Sequence, residues 1–255
     1  MKLCDFISVM NAIAPPELAF SFDNVGLLIG PDHDEIRRVL VALDLNMDTA
    51  REAVETNADL VLTHHPEWLG GIKRFLPDHP DTAAPYILVR HGIGHFAAHT
   101  NLDIADGGVN DTICDLFKLS NVQKIAPDNL LRVGVLPDGG MTLREFADLA
   151  AAIFGDNVRF SGDENKRVLR VAVCGGSGNN LEDQLKICGV DAYFTGEVKH
   201  STALALSVLG VGLVTAGHYE TEHPVLNPLI SRLQRMTDDV QYNLARSESS
   251  PFRCR

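Results

Sequence analysis

Short apolar runs rich in branched residues alternate with helical segments through most of the chain, and this alternation restricts the fold more than any other feature. The run Arg38–Asp44 is apolar between its ends, as in a strand buried on both faces. Residues 46–58 then have helical spacing, and residues 59–63 have the pattern of the next strand. The alternation continues with a helix at 82–92, a strand at 93–99 and a helix at 107–119. This order predicts an α/β fold with a mainly parallel sheet and helices on its faces.

A second unit follows an interruption near residues 126–129. Its first strand is predicted at 131–136, and Thr142 and Glu145 form a capping-box pattern that predicts a helix ending near Phe154. Further strands are predicted at 167–174, 191–196 and 211–216, with a last helix at 224–236 and a short strand at 240–244. We therefore predict two interlinked α/β domains with mainly parallel or mixed sheets. Residues 1–126 with 224–255 would form the first domain, and residues 127–223 a second, inserted domain.

Charge and composition disfavour several classes of protein. The formal net charge is −12, and no basic patch offsets it, so nucleic acid is disfavoured as a partner. The five cysteines are scattered and form no CxxC pair, as in proteins of a reducing cytoplasm. No apolar run approaches the roughly 20 residues of a membrane span. The first residues have the pattern of an amphipathic helix ending before Pro15 and Pro16, not of a signal peptide. We therefore predict a cytoplasmic protein without a membrane partner.

Histidines and carboxylates follow three of the predicted strands. In a parallel sheet the carboxyl ends of the strands lie at one edge, so side chains placed there converge. These strand-end residues are His64, His65, His99, Asp103, His218 and Glu222. Four imidazoles and two carboxylates are too many for one tetrahedral site, and they suit two metal ions that share a bridging carboxylate and a water. Nitrogen and oxygen ligands allow zinc, iron, manganese, cobalt or nickel.

The spacing within each cluster supports metal binding. His64 and His65 would point to opposite faces of a regular strand, but Pro66 ends the ladder and lets both turn toward one site. His218 and Glu222 are one helical turn apart, so a helix that starts there places them on one face. Each cluster by itself is more often structural than metal-binding, and only the three together favour a metal centre. His95 lies in phase with His99 along its strand and is an alternative ligand.

Other polar motifs allow two interpretations each. Glu197 and His200 follow a strand and are candidate general acid or base groups, candidate supports of metal ligands, or simply a helix start. The glycine-rich stretch 174–178 can hold a phosphate with its backbone amides or form a plain tight turn. Asp23 and Asn24 can orient a ligand or make a turn.

The motifs of this chain resemble those of the Nif-three-like family, whose bacterial members are often labelled GTP cyclohydrolase I type 2 homologues. The matching motifs are SFDNVGLLIG (21–30), LTHHP (62–66), HTNLD (99–103), VAVCGGSG (171–178), TGEVKH (195–200) and GHYETE (217–222). The resemblance implies two α/β domains, a dinuclear metal centre at their cleft and a ring-shaped homohexamer. Its ligand set would be the same six residues, and it leaves His95 out. The chain departs from the family at Phe22, usually tryptophan, and at Ser201, usually a second histidine, so a histidine pair at 200–201 is not a requirement for chemistry here.

The function predicted from these observations is a dinuclear metal-dependent hydrolase. Its substrate would be a nucleotide-like or phosphorylated small molecule, for which a GTP cyclohydrolase reaction is one example, and Glu197 or His200 would move protons. The alternative is a non-catalytic metal-binding ring that acts as a scaffold, regulator or metal-handling protein. An exchangeable water position on the metals would distinguish the enzyme from the alternative.

Overall fold

A five-stranded and a six-stranded β-sheet organise the chain in the computed structural model, which describes residues 1–253. The fold is mixed α/β with parallel and antiparallel strands, so the predicted fold class is confirmed. Cys254, one of the five cysteines, lies outside the described residues. No helix within the described part of the chain is long and apolar enough to cross a membrane.

The predicted strands are present, and four short strands, at 26–29, 120–124, 141–142 and 159–161, are additional to them. The strands are β1 (Gly26–Ile29), β2 (Arg38–Ala42), β3 (Leu60–Thr63), β4 (Gly94–Ala97), β5 (Ser120–Lys124), β6 (Arg132–Val135), β7 (Met141–Thr142), β8 (Arg159–Ser161), β9 (Arg167–Val168), β10 (Arg170–Ser177), β11 (Ala192–Glu197), β12 (Gly212–Thr215) and β13 (Gln241–Leu244). The α-helices are α1 (Leu3–Ile13), α2 (Met47–Glu55), α3 (Ala83–Arg90), α4 (Thr100–Ile104), α5 (Val109–Leu116), α6 (Leu143–Phe154), α7 (Glu182–Cys188), α8 (His200–Leu209), α9 (His218–Glu222) and α10 (Leu226–Met236).

The first compact unit comprises Met1–Gly108 and Val225–Ser249 and contains the five-stranded sheet. The strand order is β1-β4-β3-β2-β13, and all neighbouring strands except β1 and β4 are parallel. β1 runs antiparallel to β4, with Gly26 opposite Ala97. Because β1 is reversed, its first residues lie at the same edge of the sheet as the carboxyl ends of the other strands.

Both faces of this sheet are covered, which explains why its central strands are continuous apolar runs. On one face, Leu40 of β2 and Val61 of β3 pack against helices α2 and α3. On the opposite face, Phe96 of β4 makes an edge-to-face contact with Phe6 of α1, with ring centroids 5.8 Å apart. Helix α2 begins where it does because the side chain of Asn46 accepts hydrogen bonds from two amides of its first turn.

The C-terminal segment returns to the first unit and completes its sheet. β13 pairs in parallel with β2 and forms the edge of the sheet. Beyond the strand, the carboxylate of Glu52 on α2 accepts hydrogen bonds from the backbone amides of Arg246 and Ser247, at 3.0 and 2.8 Å. The carboxylate of Glu248 accepts one from the amide of Leu43 at 2.6 Å. Two carboxylates on different elements therefore hold the returning segment in place.

The second compact unit comprises Val109–Pro224 with the tail from Ser250, and contains the six-stranded sheet. The strand order is β5-β6-β10-β11-β12-β8. β10, β11 and β12 are parallel, whereas β5, β6 and β8 are antiparallel to their neighbours. Tyr193 of β11 packs among residues of α7 and α8, and the next residue, Phe194, contacts Phe117 with ring centroids 4.7 Å apart. The side chains of β11 therefore alternate between two apolar layers.

The predicted capping box at the start of α6 is confirmed. The hydroxyl of Thr142 accepts a hydrogen bond from the amide of Glu145 at 3.2 Å, and the Glu145 carboxylate accepts one from the amide of Thr142 at 2.8 Å. The helix ends at Phe154, as expected, and Gly155 follows it with a φ of +95°. Two backbone amides that the helix itself leaves without partners are thus satisfied.

The division of the chain differs from the predicted boundary at residue 126. Residues 109–126 were expected in the first domain, whereas α5 and β5 belong to the second unit. β5 pairs with β6, and Asp111 of α5 accepts a hydrogen bond from Arg132, a fully buried residue of β6. These contacts join the segment to the second sheet. These contacts are difficult to predict from the sequence, because β5 is exposed along its whole length and lacks the apolar pattern of the other strands.

Candidate metal centre

Four of the predicted ligands are histidines, and each has its Nδ1 atom held by a hydrogen-bond acceptor. The acceptors are Ala98 O for His64 (2.8 Å), Asp44 Oδ1 for His65 (2.7 Å), Asp23 Oδ1 for His99 (2.9 Å) and Glu197 Oε1 for His218 (3.1 Å). Carbonyl and carboxylate oxygens only accept, so each neutral ring carries its proton on Nδ1. The lone pair is then on Nε2, the arrangement in which imidazole coordinates a metal with its orientation already fixed.

Three of these imidazoles lie together in the first unit. The ring centroids of His64, His65 and His99 are 5.0 to 5.5 Å apart, and one nitrogen of each lies within 4.8 Å of the others. Asp103 adds a carboxylate oxygen 3.6 Å from Nε2 of His64. A divalent ion binds imidazole nitrogen and carboxylate oxygen at about 2.0–2.2 Å, so two ligands of one ion lie at most about 4.4 Å apart. The 3.6 Å between His64 and Asp103 is within this limit, and the 4.8 Å bound on the histidine nitrogens is close to it.

The sheet topology explains why these four residues meet. β3 ends at Thr63 and β4 at Ala97, and the two strands are parallel neighbours, so the residues after each lie side by side. His64 and His65 directly follow the first strand, and His99 directly precedes α4. The sequence predicts a loop between His99 and Asp103, but this segment is the first turn of α4, which places Asp103 one helical turn after His99.

Asp23 is the acceptor that orients His99. Its side chain is fully buried, and it also accepts hydrogen bonds from the amide and the hydroxyl of Thr100. Burial alone would raise the pKa of this carboxyl, but the hydrogen bonds from His99 and Thr100 outweigh it and hold the pKa well below its usual value. Asp23 also closes a turn, as the alternative interpretation predicts, since its amide donates to the carbonyl of Phe20 at 2.9 Å. It reaches His99 because β1 is antiparallel and starts at the ligand edge of the sheet.

Asp44 orients His65, but the sequence analysis did not identify it as a ligand or as a residue that supports a ligand. It follows β2, the parallel neighbour of β3, at the same edge of the sheet. The rule that identified His64 and His65 therefore applies to Asp44 as well. Asp44 has no histidine or second carboxylate beside it. Such a neighbour would have indicated a site at the end of β2.

His95 supports the site from within the sheet and does not have the geometry of a ligand. The hydroxyl of Thr63 donates to the carbonyl of His65 at 2.7 Å and contacts Nε2 of His95 at 2.8 Å. Since the hydroxyl has one proton, Nε2 of His95 must be the donor in the second bond. Nδ1 of His95 is buried with no hydrogen-bond partner in residues 1–253. Burial lowers the pKa of His95 to about 4, so the ring is neutral at neutral pH.

We expect His95 to make the first unit sensitive to mild acid. Between the ordinary pKa of 6.5 and the folded value of about 4, the unfolded chain binds a proton that the folded chain does not. Unfolding free energy therefore falls as the pH falls through this window, by up to about 3 kcal/mol. His95→Gln keeps a hydrogen-bond donor toward Thr63. The variant should lose the part of the pH dependence of the unfolding free energy that comes from His95. Urea unfolding of chelator-treated protein from pH 7 to pH 4 measures it, and His91→Gln, at an exposed helix end, should keep the wild-type slope.

The second unit contributes His218 and Glu222. β12 ends at Thr215, and the short helix α9 begins at His218. The two side chains lie one turn apart, as the spacing predicts, with Nε2 of His218 3.2 Å from Oε2 of Glu222. Glu197, which orients His218, is the last residue of β11, the parallel neighbour of β12. Its carboxylate is about half exposed, at 54%. The carboxyl edge of the second sheet thus presents an oriented imidazole and a carboxylate.

The glycine-rich stretch 174–178 is neither a phosphate cradle nor a tight turn but the irregular end of β10, where the pairing with β11 shifts register between Cys174 and Ser177. The amides of Gly175, Gly176 and Gly178 donate to the side chains of Asn110 and Thr221 and to a backbone carbonyl, at 2.7 to 3.0 Å. These amides are therefore engaged within the protein and do not form a phosphate cradle. A methyl group at Gly176 would overlap Oε1 of Glu222 and lie 3.1 Å from Nε2 of His218.

The third of these bonds runs from the amide of Gly178 to the carbonyl of Glu197, at 3.0 Å. It ties Gly178, the residue after β10, to the end of β11, beside the carboxylate that orients His218. Gly176 itself has a φ of +58°, in the left-handed region that glycine enters without strain. Both its conformation and its position against Glu222 therefore require glycine.

The two predicted catalytic residues differ in their surroundings. Glu197 accepts a hydrogen bond from Nδ1 of His218 and so orients that ring, as a residue that supports a metal ligand would. His200 is the first residue of α8 and is exposed. Its side chain makes no hydrogen bond or ion pair with another described residue. Proton transfer by either residue stays a prediction.

The donor set fits divalent metal ions of the first transition row. Imidazole nitrogens and carboxylate oxygens suit zinc, iron, manganese, cobalt and nickel alike, so the ligands do not select among them. The hydrogen bonds that the carboxylates of Asp23, Asp44 and Glu197 accept from the histidine rings are those expected around metal-bound histidines.

Comparisons with known proteins identify the family and the fold of this chain. The family model Duf34/NIF3 (NGG1p interacting factor 3) matches residues 1–251. A Clostridium perfringens protein described as a GTP cyclohydrolase 1 type 2 homolog is 30% identical over 259 residues, covering 99% of each chain. A Streptomyces coelicolor protein with the same description is 33% identical over 269 residues, covering 98% of this chain and 93% of the relative. The crystal structure of a Staphylococcus aureus hypothetical protein matches with a TM-score of 0.89 at 26% identity, covering 100% of this chain and 99% of that one. The chain belongs to the Duf34/NIF3 family.

Proposed function

We propose that this protein is a dinuclear metal-dependent hydrolase that acts on a nucleotide-like or phosphorylated small molecule. The proposed ligands of the two divalent ions are His64, His65, His99, Asp103, His218 and Glu222. The observation that carries the proposal is the shared orientation of the four imidazoles, each with Nδ1 held by an acceptor. The relatives' description as GTP cyclohydrolase 1 type 2 homologs supports a nucleotide as one substrate to test.

The residues of this chain would divide the work of such a reaction. Divalent ions bound here would lower the pKa of a coordinated water. Their positive charge would stabilise a developing oxyanion. Asp23, Asp44 and Glu197 keep the ligand rings oriented through their Nδ1 protons. His200, exposed at the start of α8, is the proposed group that gives or takes a proton at an imidazole nitrogen. A ring-shaped homohexamer and a cytoplasmic location belong to the same proposal.

Metal content tests the ligand assignment. We expect about two ions per chain in the wild type and fewer in both His64→Ala and His65→Ala, since removing one of three or four ligands weakens a site by orders of magnitude. Elemental analysis after equilibration with zinc or manganese measures the content, and circular dichroism checks the fold. His91→Ala, a change at an exposed histidine of the same unit, should keep the wild-type content. Two ions per chain in both ligand variants would contradict the two-metal assignment.

Turnover separates the enzyme from the alternative function. The metal-loaded wild type should hydrolyse GTP or a member of a phosphoester panel, and His65→Ala should not. Two ions per chain without turnover of any of these compounds would favour the scaffold, regulator or metal-handling role.

Light scattering on the same sample tests the hexamer of the 27.8 kDa chain.

Glu197→Gln tests how Glu197 contributes. The amide keeps an acceptor for His218 Nδ1 but removes the negative charge, so we expect the variant to retain metal with about tenfold lower affinity. Turnover should fall as well. If Glu197 only orients His218, the pH dependence of kcat keeps its shape in the variant. If Glu197 transfers a proton, one limb of that profile disappears. Unchanged affinity and unchanged turnover together would remove Glu197 from both roles.

A further inference from the structure

The segment between His65 and α3 is a long loop that closes on itself. Near its start, the indole nitrogen of Trp68 donates to the carbonyl of Asp81 at 2.9 Å. Near its end, the hydroxyl of Thr82 donates to the carbonyl of Leu76 at 2.8 Å and accepts from the amide of the same residue at 3.1 Å. Compact loops whose ends are tied together in this way frequently carry function.

Aromatic packing fixes the middle of this loop. Phe75 lies between Trp68 and Tyr86 of α3, with ring centroids 6.1 and 5.7 Å away. Gly71 has a φ of +74°, and a methyl group there would meet no atom within 4 Å, so its backbone borders open space. The loop is thus held by its own side chains while part of its backbone stays accessible.

Two adjoining pockets form a groove along the loop. One, of about 410 Å³, is lined by Pro66, Glu67 and Trp68, directly after the ligand His65. The other, of about 370 Å³, is lined by Lys73 and Arg74. Gly71 and Asp81 line both pockets, so the two lie next to each other. Volumes of about 300–1,000 Å³ are those of small-molecule sites.

The charges along the groove differ from one end to the other. Glu67 lines the pocket that follows His65, Lys73 and Arg74 line the other, and the Asp81 carboxylate lines both, so the cations outnumber the carboxylate only in the second pocket. Lys73 and Arg74 are the only lysine and arginine between His65 and α3 in a chain with a net charge of −12. Neither forms an ion pair with a carboxylate in the described chain, whereas Arg37 and Arg51 of the same unit do. Two adjacent cations lining a pocket are suited to an anionic ligand group.

We propose that this groove binds the phosphate end of the substrate, with Lys73 and Arg74 contacting the phosphate oxygens. Arginine presents a fork of donors that matches phosphate, and lysine adds a point charge. The rest of the ligand lies along Trp68, toward the residues that follow His65. The inference rests on the proposed function, because it assigns a substrate class, a phosphorylated small molecule, to the same site.

Binding of phosphate compounds to the metal-loaded protein tests the groove. The probes are GTP, pyrophosphate and guanosine, titrated by calorimetry. We expect the double change Lys73→Gln and Arg74→Gln to weaken GTP and pyrophosphate about 100-fold, about tenfold for each charge-assisted contact, and to leave guanosine unchanged. Metal content should stay at the wild-type value. Arg90→Gln, at the exposed end of α3, is the matched control and should bind all probes as the wild type does.

Each other outcome overturns the inference. It is wrong if neither GTP nor pyrophosphate binds the wild type, or if the double variant binds them equally well. It is also wrong if guanosine weakens as much as GTP, because the change then disturbs the loop and not a phosphate contact. The proposed function fails separately, through missing metal or missing turnover, while these phosphate affinities are measured directly.

Discussion

Replacing Gly176 with alanine is expected to abolish metal binding by His218 and Glu222. The added methyl group would overlap the Glu222 carboxylate and approach Nε2 of His218, so the ligand pair must move. The φ of +58° adds strain for any residue with a Cβ atom. We expect unfolding free energy to fall by about 3 kcal/mol, from left-handed strain and overpacking together. Metal titration and urea unfolding of the same samples measure the two effects.

Gly189→Ala is the matched control for this change. Gly189 has a φ of +59°, nearly the same as Gly176, but a methyl group there would meet no atom within 4 Å. The control therefore has the backbone strain without the overlap. We expect its unfolding free energy to fall by about 1 kcal/mol and its metal content to stay normal. The difference between the two variants isolates the contact with Glu222. Equal metal affinity in both would show that the site does not need Glu222 in its present position.

Replacing Asp23 with alanine is expected to have the other large effect, on stability and metal affinity together. The change leaves Nδ1 of His99 and the amide of Thr100 without their buried acceptor. We expect a loss of about 3 kcal/mol in unfolding free energy, as for other buried charged groups that lose a partner. Metal affinity should fall about 10- to 100-fold, because His99 loses its orientation.

Asp23→Asn and Asp48→Ala separate the causes of this effect. Asp23→Asn keeps a hydrogen-bond acceptor for His99 but lacks the charge, so its losses should be intermediate. Asp48 is an exposed carboxylate of the same unit, paired with Arg51, and its removal should change stability by less than about 1 kcal/mol. Isothermal metal titration and chemical unfolding of all three variants give the comparison. Wild-type metal affinity in Asp23→Ala would mean that His99 needs no outer partner.

The buried parts of the fold were predictable because burial on two faces leaves a clear pattern. β2 and β3 contain continuous apolar runs and β4 has only His95 as a polar residue, so the residues after these strands could be assigned to one edge of a parallel sheet. The exposed edge strands were not predictable in this way. β5 is exposed at every residue, and β8 has only three residues, so neither has an apolar period to detect.

The candidate site was predictable in its ligands more than in their supports. His64, His65 and His99 could be grouped because each adjoins a strand with a strong pattern. The contact of Asp23 with His99 depends on the antiparallel pairing of β1, a four-residue strand that the alternation did not reveal. The role of Gly176 depends on where the Glu222 side chain lies, which is a property of the folded unit and not of the local sequence.

The return of the C-terminal segment to the first sheet has a consequence for biosynthesis. During translation the ribosome releases β2 early and β13 about 200 residues later, so the hydrogen-bonding edge of β2 stays open while the whole second unit is made. The second unit, apart from its tail, is continuous in sequence and has all its strands before β13 emerges. A nascent chain released before Gln241 would therefore present an unpaired apolar strand edge, the kind of surface that chaperones bind and that otherwise pairs with another chain.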